Sequence, residues 1–208
     1  MLERNAAVAI AILVACSLAA AQAPNIAPFS ADMKMSQPGG ENATGKMYWG
    51  SGKIRIDMDS QGQKVSMIND VPKKTTYMIM HQQRMYMEMS SAGNPMGGGQ
   101  GMHATDIKPY DPNNPCANRE GYTCKKVGTE TVNGRSCDKW EFAGPNSKET
   151  VWIDQTLHFP IRTVSAGGST LNLTNVKEGS QAASLFEVPA GYTKMNMGNM
   201  KGGKPKPQ

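Results

Sequence analysis

The fold is decided by residues 77–89, whose sequence is YMIMHQQRMYMEM. Apolar side chains recur at every second position on either side of a short polar stretch, and a period of two is typical of β-strands. A tight turn in that stretch pairs the two strands as a hairpin, and directly paired residues share one face of a sheet. The sequence therefore predicts a methionine ladder, with Met80 opposite Met85 and Met78 opposite Met87.

The opposite face of the same hairpin is also apolar, because Ile79 and Tyr86 pair there. A sheet with one solvated face needs apolar side chains on one side only. We therefore expect that another part of the molecule, or a ligand, covers each side of these two strands.

Short alternating runs continue through most of the chain from Phe29 onward. In residues 53–58, for example, Ile, Ile and Met alternate with Lys, Arg and Asp, and turns that contain glycine or proline separate the runs. No stretch shows the sustained 3.6-residue period of a long amphipathic helix. The sequence predicts a mainly β protein of antiparallel strands with few short helices. Asn133-Gly134 marks a two-residue hairpin turn, which places Trp140 opposite Val127.

Residues 1–21 have the layout of a secretory signal peptide, with Arg4 near the start, an apolar run and small residues at the end. The apolar run is shorter than the roughly 20 residues that span a bilayer. A second signal overlaps the first, because residues 13–16 resemble a bacterial lipobox ending at Cys16. Cleavage after Ala21 predicts export to the periplasm, whereas lipidation of Cys16 predicts a lipoprotein anchored to the outer membrane.

The remainder is predicted to form one domain over residues 22–194, with a long Gly/Pro-rich loop at 90–121 and a disordered tail at 195–208. The net charge of +5 is a mild excess. Since no basic patch is interleaved with aromatic residues, we expect no nucleic-acid partner. Attraction to an anionic membrane surface fits the charge. We expect a monomer.

Four cysteines occur in the chain, and three remain if Cys16 is removed or lipidated. The remaining three are Cys116, Cys124 and Cys137. An oxidising compartment favours a disulfide between two of them. Counting outward from the hairpin turn, Cys137 faces Glu130 and not Cys124. The favoured bridge joins Cys116 to Cys124, with Cys137 left over or competing for it.

Methionine is unusually frequent, with 16 residues in the chain, and it allows three interpretations. Thioether side chains fill irregular gaps in a core without demanding a unique shape. They also suit an adaptable apolar pocket for ligands such as acyl chains. Repeated Met-x-Met segments, with His81 and His103 contributing, would in addition suit Cu(I), which prefers soft ligands.

No catalytic motif is present in the sequence. The three histidines belong to no HExxH helix, and no CxxC, GxSxG, Walker or GxGxxG segment occurs. We expect a protein that is not an enzyme and that carries neither a cofactor nor a metal site of conventional ligand spacing.

The order of several strand-and-turn motifs resembles the LolA-like superfamily of periplasmic lipoprotein carriers and its small bacterial envelope relatives. The matching segments are Phe29 to Met33, Gly52 to Asp57, Tyr86, Val132 to Arg135 with Lys139-Trp140, Trp152 to Asp154, Phe159 to Arg162, and Leu185 to Tyr192.

This resemblance implies a curved antiparallel sheet, an open β-barrel, whose concave face forms an apolar cavity for acyl chains. A sheet face lined by Met33, Met35, Met78, Met80, Met85 and Met87 would suit such a guest, and we expect these residues to line the cavity. True carriers fill the cavity with helices, whereas here the corresponding segment is the Gly/Pro-rich loop at 90–121. The implied function is binding of a hydrophobic ligand in outer-membrane lipid or lipoprotein traffic. A Met-rich periplasmic Cu(I) binder and a structural or interaction module are the alternatives.

Overall fold

The computed structural model describes residues 26–40, 42–60, 62–90, 110–111, 113–117, 119–145 and 147–195. The predicted signal peptide, most of the predicted loop at 90–121 and all but the first residue of the predicted tail lie outside these ranges. No helix in the described part of the chain is long and apolar enough to cross a membrane.

Twelve strands and one short 3-10 helix make up the described structure. In chain order they are β1 (Phe29–Ser36), β2 (Ala43–Gly50), β3 (Lys53–Ser60), β4 (Gln63–Asp70), β5 (Thr75–Met80), β6 (Met85–Ser90), β7 (Thr123–Val132), β8 (Arg135–Ala143), β9 (Lys148–Asp154), β10 (Pro160–Ser165), β11 (Thr170–Glu178), the 3-10 helix (Ala183–Phe186) and β12 (Thr193–Lys194).

All twelve strands belong to one sheet, in the order β12-β6-β5-β4-β3-β2-β1-β11-β10-β9-β8-β7. Neighbouring strands are antiparallel except for the two-residue β12, which lies parallel to β6. The sheet is curved but not closed, since β12 and β7 remain as its two edges. The predicted fold class, a mainly β open barrel, is confirmed.

The strand register sorts side chains onto two faces of the sheet. One row of paired residues crosses six strands on a single face, namely Met33, Gly45, Met58, Val65, Met80 and Met85. The next row on that face is Ala31, Met47, Ile56, Met67, Met78 and Met87. We call this the core face, because Phe29 and Met47 are fully buried on it.

The hydrophobic core lies on the core face of β1, β2, β3 and β11. Phe159, from the turn before β10, fills the space above these strands, and its ring centroid lies 5.0 Å from that of Phe29 in an edge-to-face contact. A second cluster contains Tyr110, Phe142 and Val151 and covers the same face further along the sheet. Each buried aromatic side chain removes a large apolar area from water, so this half of the sheet is the stable centre of the fold.

The β7–β8 hairpin follows the predicted register at its turn and departs from it further out. Cys137 pairs with Glu130, as predicted. Trp140, however, pairs with Lys126 and not with Val127. The prediction was wrong because the register shifts between Lys126 and Gly128, where an extra residue forms a β-bulge.

One disulfide joins Cys116 to Cys124, with 5.8 Å between their Cα atoms. This is the favoured pairing from the sequence. Cys137 is a free thiol and is fully buried in a cluster with Trp152 and Ile161. It therefore does not compete for the bridge.

Candidate functional site

Six half-buried methionines lie side by side on the core face of β4, β5 and β6. They are Met67, Met78, Met80, Met85, Met87 and Met89, and we call them the methionine patch. Met80 pairs with Met85 and Met78 with Met87, which confirms the predicted ladder. The patch continues the core face toward the β6 edge, where burial decreases.

The three strands that carry the patch place no charged residue on the core face. The other residues that β4, β5 and β6 place on this face are Gln63, Val65, Asn69 and Thr76. The charged residues of these strands, Lys64, Asp70 and Glu88, alternate onto the opposite face. A charge-free and partly open apolar surface can hold an apolar ligand without desolvating a charged group.

Along one row of paired residues, exposure to solvent increases from the hydrophobic core to the methionine patch. Ala31, Met47 and Ile56 are 1%, 0% and 4% exposed. Met78 and Met87, further along the same row, are half-buried. The side chains of the described residues therefore fill the core face over β1 to β3 and cover it only partly over β4 to β6.

The six predicted cavity residues all lie on the core face but differ in accessibility. Met33 is 2% exposed and packs inside the core, and Met35 is half-buried against it. The other four belong to the methionine patch. Of the six, Met33 is therefore the one that contributes packing and no accessible surface.

A polar network on the opposite face was not foreseen from the sequence. Arg55 donates hydrogen bonds from Nε to Asp57 at 2.6 Å and from Nη2 to the Ser66 hydroxyl at 2.9 Å. Ser66 in turn donates to the Asp57 carboxylate at 2.6 Å. In the sequence, this network shows only as the polar positions that alternate with Ile54, Ile56 and Met58.

His81 joins the network to the C-terminal part of the chain. Its Nε2 lies 2.7 Å from the Ser66 hydroxyl, and its Nδ1 lies 2.9 Å from the Tyr192 hydroxyl. Since the Ser66 proton is directed at Asp57, Nε2 donates to Ser66 and Nδ1 accepts from Tyr192 in the neutral ring. His81 therefore does not act as a base toward Ser66, and the trio does not form an activated nucleophile.

Residues 179–195 run across this second face from the end of β11 to β6, and we call them the C-terminal strap. Arg55 donates to the Leu185 carbonyl at 2.8 Å, and the Thr193 amide donates to the Arg84 carbonyl at 2.9 Å. Ile79 is fully buried on the face that the strap crosses. The strap thus supplies the cover that the apolar residues of this face require.

A hydrogen bond and burial shift two pKa values where the strap meets β6. The bond that Lys194 donates to Glu88, at 2.6 Å, raises the pKa of Lys194. Burial, followed by the negative charge of Glu88, raises the pKa of Tyr77. Both groups therefore keep their usual charge at neutral pH.

A depression of about 810 Å³ lies beside the polar network. Its charged lining residues are Asp32, Asp57, Asp59, Lys34, Arg55 and Lys64. Acidic and basic side chains are equal in number, so the depression favours neither sign of charge. Unlike the methionine patch, its lining combines these charged groups with apolar residues, among them Met58 and Val65.

Comparisons with known proteins identify a family and a fold. A family model described as a domain of unknown function, DUF4412, matches residues 30–158. No curated protein matches the chain significantly.

Three similar solved structures span most of the chain. A conserved protein from Thermus thermophilus is 10% identical, with a TM-score of 0.56 over 82% of this chain and 91% of its own. MucB in complex with MucA(peri), from Pseudomonas aeruginosa, is 12% identical, with a TM-score of 0.50 over 82% of this chain and 57% of its own. A LolA superfamily protein from Nitrosomonas europaea is 11% identical, with a TM-score of 0.35 over 78% of this chain and 90% of its own. At such identities the likeness concerns the fold alone, and the first two structures support the open, curved β-sheet.

Proposed function

We propose that this chain, which belongs to the DUF4412 family, binds the acyl part of a lipid or lipoprotein on the core face of its sheet. The observation that carries the proposal is the methionine patch, a half-buried and charge-free surface continuous with the hydrophobic core. Methionine suits this role because its flexible side chain adapts to ligands of different shape.

Export is part of the proposal. The signal-like residues 1–21 support delivery to the periplasm, where acyl chains of outer-membrane lipids and lipoproteins need shielding from water. Lipidation of Cys16 is the competing fate of the N-terminus, and it would make the protein a fixed receptor and not a carrier. Mass spectrometry of the mature N-terminus distinguishes a diacylated Cys16 from a free Gln22.

We propose a binding protein and not an enzyme. The Ser66 hydroxyl donates to the Asp57 carboxylate, which is itself paired with Arg55, and so its proton is not directed at His81. We accordingly propose no catalytic function for the depression beside it.

A titration of the mature protein with a fluorescent fatty acid tests the proposal. The double variant M78Q/M87Q keeps side-chain length but places two amides on the patch, and we expect it to bind the probe at least tenfold more weakly. The control K34Q/K64Q alters the depression on the other face and is expected to bind normally. Loss of binding in the control, with none in the methionine variant, would place the ligand in the depression and overturn the proposal.

A further inference from the structure

The methionine patch is chemically more uniform than an apolar surface requires. On the core face of β5 and β6, every position except Thr76 is methionine. Elsewhere on the same face the apolar positions are filled mainly by other residues, such as Phe29, Ile54 and Leu171. Aliphatic side chains would have given the same apolarity but no metal ligand, whereas each thioether also supplies a soft sulfur donor.

We propose that Met78, Met80, Met85 and Met87 form a binding site for Cu(I). Met80 and Met85 are directly paired across the two strands, and so are Met78 and Met87. Directly paired residues have Cβ atoms about 5 Å apart, and residues two apart on one strand are separated by about 7 Å. Thioether side chains with three rotatable bonds converge on one ion over these distances.

Two further methionines lie beside the four residues of the proposed site. Met67 pairs with Met78 on β4. At the other side, the Met195 amide donates to the Tyr86 carbonyl at 2.8 Å. Thr193 pairs with Met85, so strand alternation places Met195 on the core face beside Met87. A row of four methionines therefore crosses from β4 to the end of the strap.

The types of side chain on the core face determine which metal ion the site favours. No carboxylate, imidazole or thiolate side chain of β4, β5 or β6 lies on the core face, so the hard cations Mg²⁺ and Ca²⁺ find no charged oxygen ligand there. Neutral thioethers are soft ligands that favour Cu(I). The four side chains are half-buried, so part of their surface is accessible to an incoming ion. The inference does not depend on lipid binding, because it rests on sulfur chemistry and not on apolarity.

Anaerobic titration of the mature full-length chain with Cu(I), against a chromogenic Cu(I) chelator, tests the site. The variant M78L/M80L/M85L/M87L keeps the apolar surface but removes four sulfur atoms, and a Leu for Met exchange conserves volume. We expect its affinity for Cu(I) to fall at least tenfold. The control M33L/M47L removes two buried thioethers of the core and is expected to bind Cu(I) as the unaltered chain does.

Unchanged Cu(I) affinity in the fourfold leucine variant would overturn the inference. A measurement on the unaltered protein removes any dependence on how the variant folds. With methyl-¹³C methionine, the NMR signals of Met78, Met80, Met85 and Met87 are expected to shift first as Cu(I) is added. If signals of other methionines shift while these four stay in place, the site is wrong. If the unaltered protein binds no fatty acid, that result counts against the proposed lipid function and not against the copper site.

Discussion

Gly45 lies in β2 and pairs with Met33 on β1 and with Met58 on β3. A Cβ at this position would lie 2.4 Å from the Asp57 carbonyl oxygen, which is backbone and has little freedom to move. We predict that Gly45→Ala lowers the free energy of unfolding by about 2 kcal/mol or more, because β3 must shift to make room. Urea denaturation measures the change.

Gly128 offers a matched control for this substitution. It also lies in a strand, and a Cβ there would meet no other atom of the described structure within 4 Å. Gly128→Ala is expected to change the free energy of unfolding by no more than about 0.5 kcal/mol. Equal effects of the two substitutions would show that close approach of β3 is not what requires glycine at position 45.

Cys137 provides a prediction about pH. Burial raises the pKa of its thiol to about 11 from an ordinary value of 9.0. Between these two values the unfolded chain ionises while the folded protein does not, so stability is complete below pH 9 and falls as pH rises toward 11. Ionisation of this one thiol is expected to lower the free energy of unfolding by roughly 2 kcal/mol.

Urea denaturation at several pH values between 8 and about 11 measures this loss in the unaltered protein and in Cys137→Ala. The substitution lowers stability at neutral pH, because it removes a buried side chain. Above pH 9, however, the variant is expected to lose less stability than the unaltered protein. Identical alkaline slopes for the two proteins would contradict the assignment.

At the scale of elements, the C-terminal strap depends on the bond between His81 and Tyr192. Tyr192→Phe removes the hydroxyl that Nδ1 accepts from, at a cost of about 1 kcal/mol. We predict that the amides of Thr193 and Met195, which donate to β6 and the turn before it, exchange with solvent about fivefold faster in this variant. Hydrogen exchange read by NMR or mass spectrometry measures the change.

Tyr48→Phe serves as the control, because the Tyr48 hydroxyl has no hydrogen-bond partner among the described residues. It is expected to leave exchange in the strap unchanged. Equal exchange rates in the Tyr192 variant and the unaltered protein would mean that the strap is held by its backbone bonds to β6 alone.

Strand pairings between segments that are close in the sequence were predictable. The methionine hairpin follows from its alternation and its short turn, which fix both strands and their register. The bulge at Val127 was not predictable, because the residues on both sides of it are exposed and show no hydrophobic alternation that a change of face would interrupt. The strap was missed for a different reason: its bonds join residues such as Arg55 and Leu185, which lie far apart in the chain and show no shared pattern.

At the scale of the whole molecule, β1 pairs with β11, which comes from the other end of the described chain. This pairing joins two sets of strands, β1 to β6 with β12 and β7 to β11, into one sheet. Alternation predicts strands but not their order, so the sheet topology was accessible only through the LolA-like resemblance. The common face of the six predicted methionines follows from that topology. The accessibility of each one does not, because it depends on how far the core extends along the face.

The central claim is that the partly open half of the core face receives an acyl chain. Photo-crosslinking of the mature protein with a long-chain fatty acid that carries a diazirine at its methyl end tests this most directly. Mass spectrometry should then locate saturable crosslinks in peptides that contain Met78, Met80, Met85 and Met87, and an excess of unlabelled fatty acid should abolish them. Crosslinks confined to the residues around Lys34 and Lys64, or no saturable crosslinking at all, would contradict the account.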